Sequence, residues 1–112
     1  MSLDEIIQKL NLTVLSSPKD FSGIRPESGY CSDLLSCVMA GAKAGDLWVT
    51  LQAHINIVAV AALTDCSAII ISESATPEPE VVEKANTQGV ILLGSTQTSY
   101  QLVGQLWDMG IR

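Results

Sequence analysis

Basic residues are scarce in this chain. Six Lys plus Arg stand against twelve Asp plus Glu, a net charge of −6. A surface of that sign repels phosphate backbones and anionic lipid headgroups, so neither nucleic acid nor membrane is an expected partner. The acids are scattered (Asp4, Asp20, Asp46, Asp65, Asp108), apart from Glu78, Glu80 and Glu83, and read as a solubility feature. No apolar run approaches the roughly 20 residues of a spanning helix, and no basic segment leads into an apolar stretch near Met1. A cytoplasmic protein is therefore expected. The three cysteines, Cys31, Cys37 and Cys66, form an odd set without the CxxC spacing of zinc or redox sites. They predict reduced thiols buried as small apolar residues, with a reactive Cys31 near a helix N-terminus as the alternative.

Catalytic signatures are missing as well. Gly41-Ala42-Lys43-Ala44-Gly45 lacks the spacing of a phosphate-cradling GxxxxGK[ST] loop, and there is no GxGxxG and no nucleophile motif. Kinase and nucleotidase activities are unsupported, no catalytic residue is assigned, and no cofactor is implied. His54 is the single histidine, and without a second nearby ligand it supports no metal site. What the chain does have is core-forming material: 47% of its 112 residues are hydrophobic and 16% charged, which suits one domain spanning residues 1–112.

The pattern along the chain alternates strand and helix. Ser2 and Glu5 form a capping box for a helix carrying Ile6, Ile7 and Leu10, ended by Asn11. Leu12 to Leu15 reads as a short strand stopped by Ser16-Ser17-Pro18, and Lys19 to Gly29 as a long loop. A second helix is expected from Cys31 or Ser32. Asp33 then sits in its first turn, complementing the dipole, and Leu34, Leu35, Val38 and Met39 form one stripe before Gly41 and Gly45. Asp46 to Leu51 reads as a central strand, His54 to Leu63 as a crossover helix and Ala68 to Ser72 as a buried strand. Thr76-Pro77-Glu78 opens a helix through Val81, Val82 and Ala85 that Gly89 ends. Val90 to Leu93 is the next strand, broken by Gly94. Thr98 and Gln101 box a last helix with Leu102, Val103, Leu106 and Trp107 facing inward, so that Trp48 and Trp107 both lie near the core. The fold class is α/β: a mostly parallel sheet with helices packed on it and right-handed crossovers.

Ligands of such sheets gather beyond the carboxyl ends of the strands. Those positions are polar here: Thr50, Gln52, His54 and Asn56 after one strand; Ser72, Glu73, Ser74 and Thr76 after the next; Ser95, Thr96, Gln97 and Thr98 after the third. Parallel strands bring these groups to one edge, where hydroxyls, amides and helix N-termini can hold a phosphate or a small polar metabolite. Each group also precedes a helix, and for any single Ser or Thr capping outweighs ligand contact. A lone histidine near a helix start is more often structural than a proton carrier.

The segments Leu3-Asp4-Glu5-Ile6-Ile7, Leu10-Asn11-Leu12, Gly29-Tyr30-Cys31-Ser32-Asp33-Leu34-Leu35-Ser36 and Gly45-Asp46-Leu47-Trp48-Val49-Thr50-Leu51-Gln52, with His54 and Asn56 to Ala61, resemble the small stand-alone DRTGG-domain proteins over nearly the whole chain. The Gly-Tyr-x-Ser-Asp-Leu-Leu-Ser segment is the most specific part. The resemblance implies a fold like the N-terminal domain of HPr kinase/phosphorylase. Similar domains lie beside phosphotransacetylase catalytic domains and between CBS domains of some pyrophosphatases, where they accompany catalysis or regulation. It implies self-association, expected here as a homodimer. The missing catalytic motifs and the polar strand ends add the expectation of a regulatory module that binds a nucleotide or phosphorylated metabolite; the alternative is an accessory factor that binds a protein and no small ligand. The Asp-Arg-Thr-Gly-Gly string is absent, and the segment ahead of Tyr30 reads Ile24-Arg25-Pro26-Glu27-Ser28-Gly29. Arg25 there can supply an anion contact. The ligand-binding candidates are thus Arg25, Ser32, Thr50, Gln52, His54, Asn56, Ser72, Ser95 and Thr96.

Overall fold

The computed structural model describes all residues from Met1 to Arg112. Local chemistry starts the chain. The Glu5 amide donates to the Ser2 hydroxyl at 3.3 Å and the Ser2 amide to Glu5 Oε1 at 3.1 Å, so two orphan donors of helix α1 (Leu3–Leu10) are satisfied reciprocally. Asn11 ends α1 in the left-handed conformation, φ 53°. Then follow β1 (Thr13–Val14), β2 (Gly29–Cys31), α2 (Leu35–Gly41), β3 (Leu47–Thr50), α3 (Asn56–Thr64), β4 (Ala68–Ile71), α4 (Pro79–Gln88), β5 (Leu92–Gly94) and α5 (Ser99–Asp108).

The five strands form one sheet in the order β1-β5-β4-β3-β2. β2 to β5 run parallel, and β1 pairs antiparallel with β5 through Thr13 opposite Gly94 and Val14 opposite Leu93. The chain steps in one direction across the sheet from β2 to β5, so right-handed crossovers put α2, α3 and α4 on one face, with α1 and α5 on the other. Alternation within the strands feeds both layers. Leu47, Val49, Ala68, Ile70 and Leu93 join Leu3, Ile6, Leu102 and Leu106 beneath α1 and α5, while Trp48, Ile69, Ile71 and Leu92 join Val38, Ile57, Val58, Val81 and Ala85 on the other side. All four residues of β3 and of β4 are buried, as a sheet covered on both faces requires.

Several expectations are corrected. Gly29 to Cys31 is not a loop end leading into a helix but an edge strand, and α2 begins only at Leu35. The strand is three residues long and half exposed, so its pairing with β3 leaves no local periodic trace. Asp33 therefore lies before the helix rather than in its first turn. Of the expected α2 stripe only Val38 is fully covered; Leu34 and Met39 face solvent. On α5, Leu102 and Leu106 are buried, but Val103 and Trp107 face outward, Trp107 with 58% of its surface exposed. Trp48 alone is a core tryptophan. The cysteines do not form a buried set, because Cys31 and Cys37 are exposed and Cys66 is half-buried. Cys31 is not activated either: desolvation, then the Asp33 carboxylate, raises its thiol above the ordinary value. Helix α4 starts at Pro79 with Glu78 as its N-cap, two residues later than the Thr76-Pro77-Glu78 reading.

Asp46 is no solubility feature. It is buried, accepts from the Ser28 hydroxyl and, at 2.8 Å, from the Lys43 amide, and so ties the amino ends of β2 and β3 together behind the turn at Gly45, φ 85°. No helix is long and apolar enough to cross a membrane.

Candidate functional site

Because β2 to β5 are parallel, their carboxyl ends share one edge, and the antiparallel start of β1 joins them there through the Thr13–Gly94 pairing. That edge has two halves of different character.

In the β2–β3 half the polar side chains bond to one another. Asp33, just past β2, accepts from the Thr50 hydroxyl at 2.7 Å and from the Leu51 amide at 2.8 Å through the same oxygen. The Thr50 hydroxyl in turn accepts from the Gln52 amide at 3.1 Å, and the Gln52 side chain reaches the Asp33 carbonyl at 3.5 Å. Ser32 turns its hydroxyl to the Leu34 amide at 3.1 Å and its carbonyl to the Trp48 indole at 2.9 Å. Thr50 and Ser32 thus hold β2 against β3. His54 and Asn56 stand exposed at the start of α3, joined by the Asn56 amide donating to His54 Nδ1 at 3.4 Å.

The β4–β5 half is open. Glu73 and Ser74 occupy consecutive left-handed conformations, φ 63° and 58°, which cost non-glycine residues energy and persist only where neighbours hold them. The neighbours are on the β5–α5 loop: the Glu73 amide donates to the Gln97 carbonyl at 2.8 Å and the Ser74 amide to the Ser95 carbonyl at 2.9 Å. Glu73 Oε2 also accepts from the Ser99 amide at 3.1 Å, capping α5 from another loop, and buried Ser72 pairs its hydroxyl with that of Ser99 at 2.6 Å. Beside these locked loops lies a cavity of about 320 Å³, lined on its polar side by Asn11, Thr13, Ser74, Thr76, Ser95 and Thr96. Gly94 lies at its floor, where a β-carbon would stand 3.1 Å from Leu15 Cδ1 and push that side chain by a few tenths of an ångström.

Of the nine candidates read from the sequence, only Ser95 and Thr96 line this cavity. Ser72 lies behind it, bonded to Ser99; Ser32, Thr50, Gln52, His54 and Asn56 occupy the other half of the edge. Arg25 is not brought to the carboxyl edge. It precedes the amino end of β2, where its charge helps to lower the Glu5 carboxyl, whose main stabilisation is the hydrogen bonding from Ser2. Ser74 and Thr76 were visible as polar residues after a strand. Asn11 and Thr13 carried no site signal, since only the antiparallel placement of β1 brings them here. The lining offers hydroxyls and one side-chain amide, which both donate and accept, and contains no carboxylate, imidazole, thiol or amine. It is suited to hydrogen-bonding a ligand rather than to moving a proton.

No family model matches the chain, and no curated protein does. Among solved structures, it is similar to the CBS and DRTGG domains of the regulatory region of Clostridium perfringens pyrophosphatase, which was crystallised with its activator, diadenosine tetraphosphate. The TM-score is 0.74 at 17% identity, covering 92% of this chain and 44% of that one. The chain is thus an α/β protein with a five-stranded, mostly parallel sheet. Its fold is similar to part of that CBS and DRTGG region, and it spans less than half the length of the structure it resembles.

Proposed function

We propose that this chain is a single regulatory domain, homo-oligomeric and not catalytic, that binds a nucleotide or phosphorylated metabolite at the carboxyl edge of its sheet. One observation carries the reading: the cavity of about 320 Å³ between the β4–α4 loop, the end of β5 and the α1–β1 turn has a polar lining made of hydrogen-bonding groups without charge. Its size lies at the lower end of small-molecule sites. The structural neighbour's activator, diadenosine tetraphosphate, supplies the first probe to try. With no lysine or arginine in the lining and a net charge of −6, binding rests on hydrogen bonds to the nucleoside or to one phosphate, and its affinity changes little with salt.

The test is thermal unfolding and calorimetry with AMP, ATP and diadenosine tetraphosphate. A ligand at one hundred times its Kd stabilises the native state by about 2.7 kcal/mol. The stabilisation should shrink in Thr96→Ala and Ser95→Val and be unchanged in His54→Ala. No stabilisation by any of the three at millimolar concentration would remove the ligand-binding half of the proposal. It would favour the second reading, an accessory factor that binds a protein, which the exposed apolar side chains of Leu34, Met39, Leu63, Tyr100 and Trp107 support.

A further inference from the structure

The outward face of α5 carries Tyr100, Val103, Gly104 and Trp107, which the helical period sets in one stripe. All three side chains of this stripe are apolar or aromatic, yet Tyr100 is 89% exposed, Trp107 58% and Val103 36%. Gly104 sits among them in the helix interior, where glycine is among the least favourable residues. Nothing within this chain calls for it, because a β-carbon at Gly104 would meet no atom within 4 Å. Glycine without a local reason, at the centre of an exposed apolar stripe, suits the close approach of another backbone.

We infer that this face binds the same face of a second copy of the chain. The inference rests on the homo-oligomer reading above and names its interface. The stripe is symmetric about the point between Val103 and Gly104. Two α5 helices crossing antiparallel there, about a two-fold axis, set Val103 of each copy into the gap at Gly104 of the other and Tyr100 of each against Trp107 of the other. That is the self-complementarity an isologous contact demands. The pairing also sets Tyr100 of the second copy beside the apolar groove of about 140 Å³ between α5 and the edge strand β2, lined by Tyr30, Val49, Leu106 and Ile111 among others. Charge allows it: the four residues of the stripe carry none, and the one cation on this face, Arg112, whose guanidinium lies 5.4 Å from the Trp107 ring centroid, would stand beside Tyr100 of the second copy rather than its own counterpart. Area agrees too. A standard interface takes about 800 Å² per partner, roughly one-seventh of the 5929 Å² this chain exposes, and two aromatic side chains alone supply about 300 Å² of it.

The test is light scattering of the wild-type chain and of Gly104→Arg at about 100 μM, with iodide quenching of Trp107 emission as a second readout. Open space around Gly104 lets the monomer fold with the arginine in place, which circular dichroism checks. The expected result is twice the 11.9 kDa chain mass for wild type and 11.9 kDa for the variant, with Trp107 shielded from iodide only in wild type. A variant that remains dimeric overturns the α5 interface and leaves the homo-oligomer reading standing. A wild-type monomer overturns both and hands this face to a different partner, while the ligand half of the proposal keeps its own test by calorimetry.

Discussion

Replacing Asp33 with alanine should destabilise the protein by about 2 kcal/mol although Asp33 is itself exposed. The Thr50 side chain is 0% exposed, and its hydroxyl proton has the Asp33 carboxylate as its acceptor at 2.7 Å. Without it, a buried donor is left unsatisfied, at a cost of about 1–3 kcal/mol. The Leu51 amide also loses its acceptor, but that amide is at an exposed position where water substitutes, so it adds only about 0.5 kcal/mol. For a domain of this size 2 kcal/mol lowers Tm by about 8 °C. Urea unfolding followed by circular dichroism, at one fixed protein concentration, measures the loss. A cycle with Thr50→Val isolates its cause, because valine removes the donor: the Asp33→Ala penalty should fall to about 0.5 kcal/mol in that background. An Asp33→Ala loss under about 0.5 kcal/mol, or the same loss with and without Thr50→Val, would refute the argument.

Other perturbations probe other parts of the fold. Ile70→Ala empties a fully buried position in the central strand β4 and should cost about 2–5 kcal/mol in the same assay, without changing the denaturant slope. Ser74→Gly relieves a left-handed residue at φ 58° and should raise stability by roughly 1 kcal/mol, while removing one hydroxyl from the cavity. Cys31, although exposed, should be alkylated by iodoacetamide at pH 8 more slowly than a free thiol, because its raised pKa leaves less thiolate. The Glu5 carboxyl is depressed in the folded chain, so the stability it lends α1 is complete above the ordinary carboxyl value and is lost as pH falls through the lowered one. Glu5→Gln should remove that part of the acid sensitivity in pH-dependent thermal unfolding, whereas Ser2→Ala, which leaves the Ser2 amide donating to Glu5, should only reduce it.

What could be read without a structure was short-range. Both capping boxes, Ser2 with Glu5 and Thr98 with Gln101, close over three residues and form as their spacing predicts. Asn11 and Gly89 end helices in the left-handed conformation expected of such residues, and Ala68 to Ile71 announces a strand covered on both faces by its unbroken apolar run. From these, the strand-helix alternation and the common carboxyl edge followed, since a parallel sheet leaves few other arrangements.

Tertiary structure decided whatever depends on a partner far along the chain. Gly29 to Cys31 becomes a strand only because β3 lies beside it, 18 residues away at Tyr30 and Trp48. Asp33 finds Thr50 across the same gap, Glu73 caps a helix 26 residues on at Ser99, and Asn11 and Thr13 reach the cavity only through the pairing of β1 with β5. Trp107 illustrates the same limit: it falls at a spacing that two faces of α5 could share, and the direction it takes was set by which side of the helix the sheet occupies. Hydrogen bonds within three or four residues report themselves in local spacing, whereas strand order, the lining of the cavity and the face a helix leaves to solvent arise from contacts whose members have no fixed separation in sequence.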